Sequence, residues 1–352
     1  MHTAAPPRSP QVNPAQAQSE RLAWLFRGCD GTQGPVHPLL QPLSCLRDLG
    51  DAAVLIPPPP TRTPQPQPPR HTIDRAWLCA RVDALPALPQ AVLAAIRVLQ
   101  QDGSSTAQCA AALGRDPALA AMLLRLANAA AYGRSGRIGS LYEAVALLGR
   151  AAVGSVLTAA AVAAQFQDAR CPGFDRQRYS RQAFASGIAA QTLANELGAD
   201  GGLAFTAGLL HDIGHLVLVS QLPAAMAQAM AWARLHDQPL HLAEQEVLGI
   251  DHAEAGALVA RHWHFPPALV AAVAGHHGTG AQPAAEHAWL LDVVQGADAL
   301  VHALDLHQAE DERVPDLDPA LWQRLDLSPA RCARVLAVTE QGVAALAGAL
   351  TP

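Results

Sequence analysis

Aromatic residues are scarce in this chain. Phe, Trp and Tyr make up 4% of 352 positions, although half of the residues are hydrophobic. The interior must therefore be built from Ala, Leu and Val, a composition that favours helix over sheet. No alternating apolar and polar run reaches convincing strand length. Clusters of Lys and Arg are also missing, and the net charge is −6. Nothing here suggests a nucleic-acid-binding surface. The six cysteines, at 29, 45, 79, 109, 171 and 332, form no CxxC pair. That spacing argues against a finger-type zinc site. The N-terminus lacks a charged segment followed by an apolar core, so no leader is read there. The longest apolar stretch, around 151–164, is Ala-rich and too short to span a bilayer comfortably. A cytoplasmic protein with no membrane partner is the expectation.

What the chain does have in one place is proline. Fifteen of its 28 prolines fall within residues 1–72, including Pro57-Pro58-Pro59-Pro60. Proline removes a backbone donor and breaks regular elements, so 1–75 reads as a disordered, Pro-rich tail. The island Leu22-Ala23-Trp24-Leu25-Phe26-Arg27 inside it reads as a transient turn or as a docking motif. From about Asp74 the pattern turns helical. Asp116-Pro117 is a helix start, Ser140 with Glu143 is a capping box, and Gly149 is a stop. Helices are expected near 151–167, 176–197, 203–219, 222–236, 239–247, 251–262, 266–275, 284–303 and 328–348. The whole is an all-α, multi-helix bundle. Residues 76–303 form its main domain. Residues 304–352 supply an acidic linker, Asp305 to Asp318, and a C-terminal helix expected to pack back or to serve as an oligomer contact.

Four polar clusters interrupt the apolar pattern. His211 and His215 are four residues apart, on one helix face, with Asp212 between them. A carboxylate in so apolar a run needs compensation, and a metal ion held by His nitrogen and Asp oxygen is one economical form of it. Asp251-His252-Ala253-Glu254 reads as a helix cap or as a way to aim His252 at the first cluster. His276-His277 beside Gly278 reads as a helix C-terminus or as a pair of imidazoles presented to a pocket. Asp298 sits among small apolar residues, either solvated or partnered by a metal, an Arg or a His.

Taken in order, these clusters resemble the HD superfamily of metal-dependent phosphohydrolases, and within it the HDOD branch. Further motifs carry the resemblance: Leu85-Pro86-Ala87-Leu88-Pro89, Arg115-Asp116-Pro117-Ala118-Leu119, Leu209-Leu210-His211-Asp212-Ile213-Gly214, Asp251-His252-Ala253-Glu254, Phe265-Pro266 and His276-His277. The match runs over roughly 78–303. It implies an HD-like helical bundle with His211, Asp212, His276, His277 and Asp298 as metal-ligand candidates, and His215, His252 and Glu254 behind them.

The departures decide the functional expectation. Active relatives carry a His on an earlier helix, and here Gln182 stands at that position, or Arg181 in a register shifted by one; neither supplies an imidazole. A neutral amide is a poor transition-metal ligand beside imidazole. His215 stands where active relatives often carry Lys, and the Gly-Tyr-Pro signature of the cyclic-di-GMP phosphodiesterase branch is absent. The resemblance therefore implies a non-catalytic signalling or regulatory module on a degenerate metal-phosphohydrolase scaffold. No cofactor is required, a divalent metal is allowed, and signalling proteins are the expected partners. Any small ligand is unspecified. The alternative is a divalent-metal phosphohydrolase acting on a nucleotide or cyclic dinucleotide, with His211 and Asp212 as its residual catalytic candidates.

Overall fold

The structure, a computed structural model, describes residues 14–27, 71, 73–85, much of 94–127, 138–166, 170–278, 285–307, 309–316 and 319–350. These residues form fifteen α-helices and no strand. They run as α1 (Pro14–Leu25), α2 (Arg75–Asp83), α3 (Thr106–Leu113), α4 (Leu141–Leu148), α5 (Arg150–Ala164), α6 (Arg176–Glu196), α7 (Gly201–Leu210) and α8 (Ile213–Gln221). Then follow α9 (Pro223–His236), α10 (Leu240–Leu248), α11 (His252–His262), α12 (Pro267–Gly275), α13 (Ala288–Ala303), α14 (Pro319–Arg324) and α15 (Pro329–Leu350). The caps follow the sequence. Ser140 accepts from the Glu143 amide, Asp251 accepts from the Glu254 amide, and Gly149 ends α4 at φ +80°. Expectations for 1–13, 28–70, the rest of the Leu85–Pro89 motif and Asp116-Pro117 lie outside the described residues.

Two large apolar clusters fill the bundle, beside a small one of Val156, Ala183, Phe205 and Leu209. One joins Phe166 to α8, α9, α10 and α11 through Leu216, Leu218, Met226, Val247 and Val259. The other joins α6, α7, α12, α13 and α15 through Ala189, Leu193, Ala207, Leu269, Val294, Leu300 and Leu336. Small residues set the spacing between helices. A Cβ added at Gly208 would fall 2.4 Å from the Ser186 carbonyl oxygen, and one at Gly214 would fall 1.7 Å from that of His252. Only glycine allows these approaches, and the second brings α8 against the start of α11.

Three expectations need correction. The single helix over 203–219 is broken at His211-Asp212, because Asp disfavours a helix interior and favours a helix start. The stretch Gly201–Gln221 is 21 residues long, enough by length to cross a membrane, and its most apolar 18 residues have mean hydropathy 1.5, but 72% of those are buried inside the bundle. The island at 22–27 belongs to a helix seated on its own chain. Leu25 and Phe26 are buried, and Arg21 forms a buried pair with Asp305, Nε to Oδ2 at 2.8 Å and Nη2 to Oδ1 at 2.7 Å. Finally, the segment read as an acidic linker is seated too: Glu312 and Val314 are buried, and the Val314 amide donates to the Leu25 carbonyl at 2.9 Å. Helix α15 packs back on α6, with Gly342 against Ile188 and both Arg331 and Arg334 on Glu196.

Candidate metal centre

The break between α7 and α8 makes the centre. Asp212 is the N-cap of α8 but makes no capping hydrogen bond with its side chain. Its carboxylate is turned instead toward imidazoles. Oδ1 lies 3.3 Å from His252 Nε2 and 3.3 Å from His276 Nε2, and Oδ2 lies 3.4 Å from His211 Nε2. His211 also reaches Asp298 Oδ1 at 3.3 Å.

Each imidazole is oriented from behind. His211 Nδ1 bonds the Gly208 carbonyl at 2.7 Å, and His276 Nδ1 bonds that of Val273 at 2.8 Å. His252 Nδ1 bonds Glu244 Oε2 at 2.6 Å. All three rings therefore present Nε2 to the centre, an arrangement that fixes tautomer and direction in metal-binding histidines. His277 Nε2 comes within 2.7 Å of His252 Nε2, and its ring stacks on His241 at 4.0 Å.

Charge follows the geometry. Burial disfavours a charged Asp212, but His211 and His215 outweigh it and hold the carboxyl well below its usual range. Burial likewise opposes charge on His252, yet Glu244 and Asp212 raise it well above the ordinary imidazole value. Burial lowers His276 and His277, so both are held neutral. His211 rises to about 9, its burial overcome by Asp212 and Asp298. Glu244 falls to about 2, its burial overcome by His252 and His215.

The donor set fits a divalent cation. One ligand atom from each of Asp212, His252, His276 and His277 lies within 4.8 Å of all the others. Three imidazoles and a carboxylate are a familiar transition-metal set. Nε2 of His252 and of His277 crowd each other, and one nitrogen must carry a proton where a cation would serve both. Metal binding replaces such protons. A second trio, His215, Glu244 and His252, shares His252 with the first.

The structure thus brings together His211, Asp212, His276, His277 and Asp298, with His215 stacked on His252 at 3.8 Å. It moves His252 from the periphery into the donor set. Glu254 stays out: it pairs with Arg75 at 3.0 Å near the surface. Gln182 faces the same cavity, and its Nε2 is buried without a partner. Asp298 Oδ1 has nitrogen neighbours but no hydrogen bond of good geometry.

Sequence reasoning missed Glu244, His302 and Glu312. Glu244 lies three and four residues before Val247 and Leu248, on the buried stripe of α10, and that position was the available signal. His302 lies one turn after Asp298, touching it at 3.5 Å. Glu312, bonded to His302, had no local signal.

A cavity of about 680 Å³ opens on the centre. Asp212, His252, His276 and His277 line it inside, Tyr179 and Gln182 line it from α6, and Arg27 with 310–316 forms its rim.

Residues 85–279, more than half of the chain, match the HDOD domain family. The chain belongs to this family. An uncharacterized protein of Treponema pallidum (strain Nichols) is 28% identical over 232 residues, covering 65% of this chain and 44% of that protein. This HDOD chain thus spans less than half the length of that curated relative. A solved "Putative phosphohydrolase" from Shewanella amazonensis SB2B is 29% identical with a TM-score of 0.60, over 78% of this chain and 98% of that one. An HDOD domain protein with unknown function from Geobacter sulfurreducens shares the fold at 22% identity and a TM-score of 0.63, over 79% and 99%.

Proposed function

We propose that this HDOD protein is a non-catalytic regulatory module that holds one divalent metal ion on Asp212, His252, His276 and His277. The carrying observation is the convergence of those four donors within 4.8 Å. Four protein ligands would fill a four-coordinate shell and leave no open position for an activated water, which is the mark of a structural rather than a catalytic site. Gln182, where active relatives carry His, adds no imidazole to the adjoining His211–Asp298 pair. The ion would tie the start of α8 to α11 and to the end of α12, stiffening the cavity floor. The cavity then serves as the place where a ligand is sensed, and signalling proteins read the result. Metal analysis of protein purified without a histidine tag tests this. About one divalent ion per chain is expected by the four-ligand argument. It should be lost in His276→Ala, with no turnover of nucleotides or cyclic dinucleotides. Absence of tightly bound metal overturns the centre. Metal-dependent hydrolysis abolished by His211→Ala overturns the non-catalytic reading.

One observation favours the phosphohydrolase reading. Asp212 turns Oδ1 to His252 and His276 and Oδ2 to His211, as a carboxylate shared by two ions would. His211 and Asp298 would then hold the second ion, and such an ion activates water and stabilises charge on a phosphate ester. The same turnover assay decides between the two.

A further inference from the structure

Arg178 stands on α6 one turn before Gln182 and lines the cavity. Its guanidinium is not free. Nη1 donates to Asp311 Oδ1 at 2.8 Å, and Nη2 donates to Glu312 Oε2 at 3.2 Å. Both carboxylates belong to the strap 309–316, which crosses the cavity rim. Helix α1 and the turn after it fasten that strap: Arg21 donates to the Ala309 carbonyl at 2.7 Å, Trp24 to that of Glu310 at 3.1 Å and Arg27 to that of Glu312 at 2.7 Å.

The two carboxylates differ in freedom. The Glu312 side chain is 3% exposed and is also bonded to His302, so it is fixed. The Asp311 side chain is 35% exposed, and its second neighbour is Arg234, with Oδ2 at 3.9 Å from Nη1. Asp311 therefore sits between two guanidinium groups and can swing out toward water. The other arginines of the rim are held elsewhere: Arg27 and Arg313 both bond Asp237, at 2.8 and 3.1 Å.

We propose that Arg178 and Arg234 form an anion subsite for a phosphate-bearing small ligand, with Asp311 as the internal anion that occupies it until the ligand arrives. A phosphate offers three oxygens to two planar forks where the Asp311 carboxylate offers two. The cavity, about 680 Å³, is within the usual range for small-molecule sites and leaves room for more than the phosphate. This deepens the regulatory reading and rests on it for the cavity being a ligand site, though not for the metal.

The test is calorimetric titration of the full chain with inorganic pyrophosphate in the presence of a chelator. Asp311→Asn should tighten binding about two- to fivefold, the range expected for releasing one partly exposed ion pair. Glu310→Gln makes the same charge change on the same strap without touching Arg178, and should not reproduce the gain. Adding Arg178→Gln, or Arg234→Gln if that variant fails to fold, should remove it. The proposal is overturned if Asp311→Asn binds no tighter than Glu310→Gln, or if the gain survives loss of either arginine. A larger gain for malonate than for pyrophosphate overturns the phosphate assignment. Metal content is measured separately without chelator, so failure of the metal centre and failure of this subsite are distinguishable.

Discussion

Replacing Arg21 by Met probes how α1 is held. The Arg21 and Asp305 side chains are 3% and 4% exposed and meet through two hydrogen bonds. Met keeps much of the apolar stem and removes the charge, leaving a buried carboxylate. Breaking one side of a buried ion pair costs about 3–5 kcal/mol. The chain has an escape, because α1 can undock as a unit from the strap and from Asp305. Undocking forfeits the burial of Leu25 and Phe26, about 1.5–3 kcal/mol each. It also forfeits the bonds from Trp24 and Arg27, about 1 kcal/mol each. Undocking also frees the stranded carboxylate, so the mutation lowers the net cost of opening α1 by about 3–5 kcal/mol, and the variant should open α1 more often rather than unfold. Hydrogen–deuterium exchange reads this directly. Amides of 14–27 should exchange at least about tenfold faster, since each 1.4 kcal/mol is a factor of ten. The amides of α8 should be unchanged. Asp305→Asn in the same chain should restore most of the protection. Asn tolerates the φ of +49° at that position and carries no charge. Unchanged exchange in Arg21→Met, or a loss that Asp305→Asn does not recover, would refute the reasoning.

Other outcomes follow from the same contacts. Glu244→Gln keeps the shape of a residue that accepts from both the His252 amide and Nδ1 but removes its charge. Metal affinity, measured against a chelating dye, should fall about 10–100-fold, and an unchanged value would count against the orienting role. His302 is raised to about 9: burial opposes its charge, but Asp298 and Glu312 outweigh it. A raised imidazole value stabilises fully below its unfolded value of about 6.5. That contribution is lost as pH rises through about 9. Thermal stability should therefore fall more steeply over that interval in the native chain than in His302→Gln, and equal slopes would dismiss the pairing of His302 with Asp298 and Glu312. Burial raises the Cys332 thiol to about 11, so at pH 8 the thiolate is about one part in a thousand. Mass spectrometry after iodoacetamide treatment should find Cys332 unmodified in the native protein and alkylated after denaturation.

The helical class was legible because Ala and Leu dominate and because caps such as Ser140, Asp251 and Gly149 announce helix ends. Most of the centre was legible as well, since His211, Asp212, His276 and His277 stand out against apolar surroundings. His252 was read as peripheral because its cap-like context at Asp251 explains the segment without a centre. Only the approach allowed by Gly214, a contact between residues far apart in sequence, turns that segment inward. The break at 211–212 was missed because hydropathy runs unbroken from α7 into α8. The docking of α1 and of the strap depends on pairs such as Arg21 with Asp305, whose partners lie 284 positions apart and leave no periodic trace.

That separation also bears on synthesis at the ribosome. Helix α1 emerges well before its seat on Asp305 and Val314, because Arg21 and Asp305 lie 284 positions apart. At about 5–20 residues per second, the interval is roughly 15–60 s. For that time Leu25 and Phe26 have no native surface to cover them, and a nascent chain is open to capture by a chaperone. Closing of the cavity rim is therefore a late event in the birth of the molecule, after the helices that carry the histidines have been made.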